Sequence, residues 1–169
     1  AIDAVRVVIG AGQEELARQA LGRRNVGELI IGGAERADSV RAGLAAINAN
    51  VVLVHDAARP FCPHDVIDRL LAPLKNADGA VPVLPVADTL ARADASLGEA
   101  VDRSGLVRVQ TPQAFRYRSL TEAYAQWSGP SPTDESTVMR TAGRDVAAAA
   151  GDPMPWRLTT VARWPRAGP

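Results

Sequence analysis

Three features of the sequence predict an α/β fold with a mostly parallel sheet: short β-branched runs that stop at glycine or polar residues, stretches of helical spacing between them, and connections of a few residues. Strands joined by crossover helices in this way form right-handed units whose strands run parallel.

Val5 to Ile9 is β-branched and ends at Gly10, which reads as a buried strand. From Gln13 the spacing becomes helical, with Leu16, Ala17, Ala20 and Leu21 on one side and Gly22 as a left-handed cap. Leu29 to Ile31 is a second strand, stopped by Gly32-Gly33. The next helix is expected to be capped by Asp38 or Ser39, with Val40, Leu44 and Ile47 in register. Val51 to Val54 is a third strand that delivers His55-Asp56 at its end.

Between Cys62 and Leu74 a helix is expected with Pro63 at its first position and Pro73 at its end. Gly79 to Val86 reads as a strand, bent or at a sheet edge because of Pro82 and Pro85. From about 88 to 110, turn residues separate short extended pieces poor in apolar residues, the pattern of a protruding arm. Ser119 with Glu122 reads as a capping box opening a helix through Tyr124 and Trp127. After the loop Gly129 to Pro132, Thr133-Asp134-Glu135 caps a last helix that closes at Gly143. Residues 1–160 are expected to form one domain, and 161–169, without periodicity, a disordered tail. Ala1 is not an initiator Met and stands close to a buried strand, so an upstream segment is expected.

Composition narrows the function classes. With 47% apolar and 22% charged residues the chain has the make-up of a folded domain. Nineteen basic and nineteen acidic side chains cancel, so no global field draws the protein to nucleic acid or to an anionic membrane, and any anion must be bound locally. A single cysteine, Cys62, excludes disulfide frameworks and cysteine-rich metal sites and fits a reducing compartment, the cytoplasm. No apolar run approaches the length of a membrane span.

Among local motifs, Gly10-Ala11-Gly12 imitates a dinucleotide fingerprint, but Glu15 stands where the third glycine belongs and, with Glu14, would repel a pyrophosphate. Gly32-Gly33 before a helix suits either close approach of a base or phosphate, or a plain turn. His55-Asp56-Ala57-Ala58-Arg59-Pro60-Phe61 is the densest constellation, because it follows the carboxyl end of a strand, where open α/β sheets bind ligands. Asp56 suits a hard cation such as magnesium, and Arg59 could fork onto a phosphate; the competing reading is that the two pair with each other. A hydrolase triad from Ser39, His55 and Asp56 lacks a nucleophile elbow. Thr89, Arg103, Arg108 and Thr111 read locally as surface residues, and His64 as a solvated helix residue.

Longer strings carry more. Gly32 to Leu44 (GGAERADSVRAGL), Val52 to Phe61 (VLVHDAARPF), Pro85 to Leu90 (PVADTL), Val101 to Leu106 (VDRSGL) and Gln110 to Phe115 (QTPQAF) closely resemble, in order, the 2-C-methyl-D-erythritol 4-phosphate cytidylyltransferase family. The resemblance spans about Gly32 to Gly151 and implies a Rossmann-like, three-layer nucleotidyltransferase fold whose arm serves dimerisation. It implies transfer of CMP from CTP to methylerythritol phosphate with release of pyrophosphate, in the non-mevalonate route to isoprenoids, with magnesium as cofactor. Gly33 and Ser39 match cytosine-holding positions, Asp56 the residue serving magnesium and the CTP phosphates, and Arg59 falls in the same loop. Thr89, Arg103 and Thr111 match positions that a partner subunit contributes to the methylerythritol phosphate pocket.

The chain departs from the family at both ends. The glycine-rich loop with its arginine and Pro-Lys pair is absent, and the first strand here resembles the family's second. Arg157, a candidate catalytic residue with Asp56 and Arg59, stands where the family has a lysine in a strand, and the tail then diverges. These departures read the chain as a truncated member and keep two other expectations open: a pentitol-phosphate (ribitol 5-phosphate) cytidylyltransferase, and a non-catalytic fragment that only dimerises.

Overall fold

The computed structural model describes residues 2–153. Arg157 and the expected disordered tail 161–169 lie outside the described residues. Packing divides the described residues into two compact units, one of 2–52 with Phe115–Asp145 and one of Leu53–Ala114 with 146–153.

In the first unit, β1 (Val8–Ile9) pairs in parallel with β2 (Ile30–Ile31), Val8 opposite Ile30. Between them α1 (Glu14–Leu21) ends at Gly22, as expected, although its φ of 56° comes with a ψ of −121°, a positive-φ conformation open to glycine but not the left-handed helical cap. No residue of α1 is buried, and Leu16 is 68% exposed, so its apolar stripe finds no core here. Helix α2 (Arg36–Ala45) begins earlier than expected: Asp38 and Ser39 lie inside it, and the cap is Glu35. Glu35 is extended, its carboxylate accepts from the Asp38 backbone, and the Asp38 carboxylate accepts from the Glu35 N–H, a reciprocal arrangement that satisfies two amides and makes Asp38 the third helical residue.

Helix α4 (Tyr117–Gln126) also corrects the expected start. Ser119 is buried inside it rather than capping it, because the preceding strand runs directly into the helix through an extended Arg116. Glu122 is drawn instead to Arg118 and Arg144, both at 2.8 Å. Helix α5 (Glu135–Thr141) is capped as expected, Asp134 Oδ1 accepting from the Thr137 N–H at 3.0 Å, and Gly143 follows with φ 69°. Leu44, Phe115, Leu120, Val138 and Met139 are buried in this unit. Each such side chain contributes about 1.5–3 kcal/mol relative to exposure.

The second unit holds most of a five-stranded sheet of order β3-β8-β4-β7, with β9 also paired to β4. Its strands are β3 (Val51–Val54), β4 (Gly79–Pro85), β7 (Val107–Val109), β8 (Gln113–Arg116) and β9 (Val146–Ala150), and the unit boundary crosses β3 and β8. β4 pairs antiparallel with β7 and parallel with β9, so the sheet expected to be mostly parallel is in part antiparallel. β4 is also not an edge: Gly79 to Pro82 are buried, and Pro82, which has no N–H, contributes its carbonyl to the Gln110 N–H at 2.8 Å. Helix α3 (His64–Leu71) is capped by an extended Pro63 rather than containing it, and Pro73 sits within a short 3-10 helix, Ala72–Lys75, rather than ending the segment.

The arm expected at 88–110 divides in two. β5 (Leu90–Ala93) and β6 (Leu97–Val101) form an antiparallel hairpin, Leu90 opposite Val101, closed by the Asp94 N–H donating to the Ser96 carbonyl at 3.2 Å. Leu97 at its tip is 81% exposed. β7, the third piece, leaves the arm and joins the main sheet.

Candidate functional site

In the second unit the residues after β3 form a closed turn. The Arg59 N–H donates to the Asp56 carbonyl at 2.9 Å, and the Ala58 N–H to Asp56 Oδ1 at 3.0 Å, an Asx turn that fixes the carboxylate against its own backbone. The small residues Ala57 and Ala58 let the chain turn tightly here.

Thr111 belongs to this cluster. Its Oγ1 accepts from the Asp56 N–H at 3.0 Å and lies 3.2 Å from His55 Nδ1, while His55 Nε2 lies 2.9 Å from the Arg59 carbonyl. Packing around the His55 ring pushes its pKa below the ordinary value, opposed by a bond to the Arg59 carbonyl and by the Asp56 charge. Thr111 is itself well held, since the neighbouring Gln110 is buried and its side chain forms a closed pair with the Asp152 backbone, donating to the carbonyl at 2.7 Å and accepting from the N–H at 3.1 Å. Thr89 and Arg103 are exposed near the base of the hairpin, where Arg103 donates to the Ala87 carbonyl.

Gly33 and Ser39 belong to the first unit. A Cβ on Gly33 would lie 2.3 Å from Asp38 Cβ, and one on Gly32 would lie 2.4 Å from Ser39 Oγ, so only glycine lets this loop lie against the first turn of α2. Ser39 Oγ donates to the Glu35 carbonyl at 3.2 Å and keeps its lone pairs for a donor. The carboxylates of Glu35 and Asp38 occupy the helix start, which disfavours a phosphate there and suits an uncharged group with its own N–H donors, such as a nucleobase.

A part-buried ion pair, Glu135 with Arg36, had no local signal in the sequence. Glu135 is fully buried, and its carboxylate takes both guanidinium nitrogens of Arg36, Nη2 to Oε2 at 2.8 Å, together with the Tyr124 hydroxyl at 3.2 Å. Burial, with the adjacent Glu135 charge, pushes the Tyr124 phenol above its ordinary pKa, and the hydrogen bond to Glu135 raises that of Arg36. Arg41 stacks over the Tyr124 ring at 5.1 Å. Arg36 is the first residue of α2, so this group secures the turn on which Gly33 rests. A partner 99 residues away leaves no periodic trace in the sequence.

Among the described residues no three His, Cys, Asp or Glu side chains cluster as a metal cage. The carboxylate of Asp56 nevertheless fits magnesium, which is commonly held by one or two carboxylates plus substrate phosphates. Among the described residues no helix is long and apolar enough to cross a membrane.

The family model for 2-C-methyl-D-erythritol 4-phosphate cytidylyltransferase matches residues 1–167. A bifunctional IspD/IspF enzyme of Rhizorhabdus wittichii is 55% identical over 163 residues, 96% of this chain and 43% of that protein. One from Novosphingobium aromaticivorans is 43% identical over 151 residues, 86% of this chain and 39% of that protein. This chain thus spans about two-fifths of these curated relatives. The solved 2-C-methyl-D-erythritol 4-phosphate cytidylyltransferase of Thermus thermophilus superposes with a TM-score of 0.86 at 32% identity, covering 98% of this chain and 80% of that one. The bifunctional IspDF of Campylobacter jejuni gives 0.82 at 27% identity, covering 98% of this chain and 42% of that one. The pentitol-phosphate expectation draws no support from these matches.

Proposed function

The chain belongs to the 2-C-methyl-D-erythritol 4-phosphate cytidylyltransferase family, and from that premise we propose that it transfers CMP from CTP to methylerythritol phosphate. An oxygen of the acceptor phosphate bonds to the α-phosphorus of CTP. The bond from that phosphorus to the bridging oxygen breaks, and its electron pair leaves with pyrophosphate. The acceptor phosphate is already ionised at neutral pH, so the protein's task is alignment and charge neutralisation rather than proton removal.

The observation that carries this reading is the Asp56 turn, a carboxylate fixed at the end of β3 by its own backbone and by Thr111. Asp56 would hold magnesium there, and the ion supplies charge neutralisation at the phosphates when bound. Gly33, through its backbone, and Ser39 hold the cytosine; Arg59 lies in the Asp56 loop and, with Arg157, would clamp phosphate oxygens by bidentate forks. Thr89 and Arg103 serve the acceptor pocket of a partner subunit in a homodimer formed through the β5–β6 hairpin, whose exposed Leu97 offers apolar contact. The cytoplasm, where CTP is made, is the proposed compartment.

The reading is tested by magnesium-dependent pyrophosphate release with CTP and methylerythritol phosphate, against a no-acceptor control and a pentitol phosphate. Release with methylerythritol phosphate alone is the expected result; no release from a folded sample overturns it. Arg103→Ala is expected to raise the KM for methylerythritol phosphate about tenfold, the loss of one charge-assisted hydrogen bond, with the KM for CTP nearly unchanged. The reverse pattern in steady-state kinetics would remove Arg103 from the acceptor pocket. Gly33→Ala, whose Cβ meets Asp38 Cβ at 2.3 Å, should show the opposite selectivity. A KM for CTP at least about tenfold higher, with acceptor KM unchanged, is expected because the loop must shift away from α2.

A further inference from the structure

Hydrogen-bond direction in the Asp56 cluster assigns a part to a residue that the proposed reaction leaves without one. A backbone carbonyl only accepts, so the 2.9 Å contact between His55 Nε2 and the Arg59 carbonyl requires the proton on Nε2. In the neutral ring Nδ1 is then an acceptor, and the 3.2 Å contact to Thr111 is a bond donated by the Thr111 hydroxyl. Oγ1, having given its single hydrogen to the ring, accepts from the Asp56 N–H at 3.0 Å. The chain of bonds runs one way, from the Asp56 amide to Thr111, from Thr111 to His55, and from His55 to the Arg59 carbonyl. It closes on the same turn that the Arg59 N–H and the Ala58 N–H hold from inside.

We propose that His55 is a positioning residue, which acts through Thr111 to fix the backbone of Asp56 and thereby aims the Asp56 carboxylate. The proposal rests on the proposed nucleotidyl transfer for its consequence in catalysis, and on the geometry alone for its effect on Asp56. The sheet supplies the fixed end of the device, since Thr111 follows Gln110, which is bonded to the Pro82 carbonyl and to Asp152. A corollary concerns Thr111 itself. With its hydrogen committed to His55, its hydroxyl can meet a ligand only as an acceptor, so it suits a polyol hydroxyl and not a phosphate oxygen.

The test separates the two ring nitrogens. Glutamine places an amide N–H near the position of Nε2, and asparagine places a carbonyl oxygen near that of Nδ1, so His55→Gln keeps the bond to Arg59 while His55→Asn keeps the acceptor for Thr111. In the protein without ligands, nitrogen-detected NMR is expected to show the Nε2–H tautomer, and hydrogen exchange a protected Asp56 amide. Thr111→Val should speed exchange at that amide about tenfold, the loss of one hydrogen bond of roughly 1.4 kcal/mol. His55→Gln should do so to a lesser degree, His55→Asn and Thr111→Ser hardly at all, and His55→Gln added to Thr111→Val should change nothing further. In turnover the same order should appear in kcat, with the KM for CTP unchanged. An Nδ1–H tautomer, an Asp56 amide indifferent to Thr111→Val, or additive effects of the two substitutions would overturn the proposal. Absence of pyrophosphate release from the unsubstituted protein would instead overturn the reaction, leaving the tautomer and the exchange order to decide the part of His55.

Discussion

Asp56→Asn is expected to lower kcat by at least about 10³-fold, equivalent to roughly 4 kcal/mol of transition-state stabilisation, with thermal stability nearly unchanged. Asparagine keeps an Oδ1 that can accept from the Ala58 N–H, so the turn that fixes residue 56 survives and the negative charge alone is removed. That distinguishes it from Asp56→Ala, which also dissolves the Asx turn and should abolish turnover at some cost in local order. Because no group of three metal-ligating side chains among the described residues could compensate for Asp56, the magnesium concentration for half-maximal rate should rise in both variants. Steady-state kinetics over a magnesium series, with a melting curve for each variant, checks this. A kcat for Asp56→Asn within about threefold of the unsubstituted protein, too small to reflect loss of a charge that faces the phosphates, would move the charge-neutralising role elsewhere.

The elements that the sequence made legible are those whose signals are local. Gly22, Asp134 and Gly143 mark helix ends by their own chemistry, and the structure places them there. Val51 to Val54 are β-branched or apolar in an unbroken run, and form β3. Two misplaced helix starts have separate causes. Asp38 caps by reaching back to Glu35, which puts the helix start three residues upstream, and Ser119 is buried because β8 passes straight into α4. β9 is four alanines after Val146, a composition with little strand preference, and it becomes a strand because β4 lies open beside it. Pro82 and Pro85 argued for an edge, yet β4 pairs with both β7 and β9, since a proline deprives a strand of one donor and leaves its carbonyls in place.

The site divides along the same line. Asp56 and Arg59 are candidates by their place after a strand, and the family strings add Gly33, Ser39, Thr89, Arg103 and Thr111 as further candidates. What no string shows is the wiring: that Thr111 meets Asp56 across 55 residues, or that His55 bridges both. The adjacency of His55 and Asp56 suggests side chains on opposite faces of a continuing strand. The strand ends at Val54, and the turn brings both into one hydrogen-bonded group.

Arg36→Ala carries the largest expected effect on stability. It leaves the Glu135 carboxylate, fully buried, with the Tyr124 hydroxyl as its remaining side-chain donor in the group, and an unpaired buried charge costs about 3–5 kcal/mol. Arg36 itself keeps 36% of its side-chain surface exposed, so water can enter its place and the expected loss is near the lower limit, about 3 kcal/mol. For a chain of this size that is a fall in melting temperature of roughly 6–12 °C. Adding Glu135→Gln to Arg36→Ala removes the stranded charge and should recover more than half of the loss, a recovery that simple loss of packing would not give. The same pair bears on CTP: Arg36 opens α2, on whose first turn the Gly33 loop rests, so the double variant should be restored in stability yet bind CTP less tightly. Stability and nucleotide affinity recovering together would show that Glu135 and Arg36 hold the helix without aiming its loop; stability recovering alone places the ion pair behind the base-binding turn.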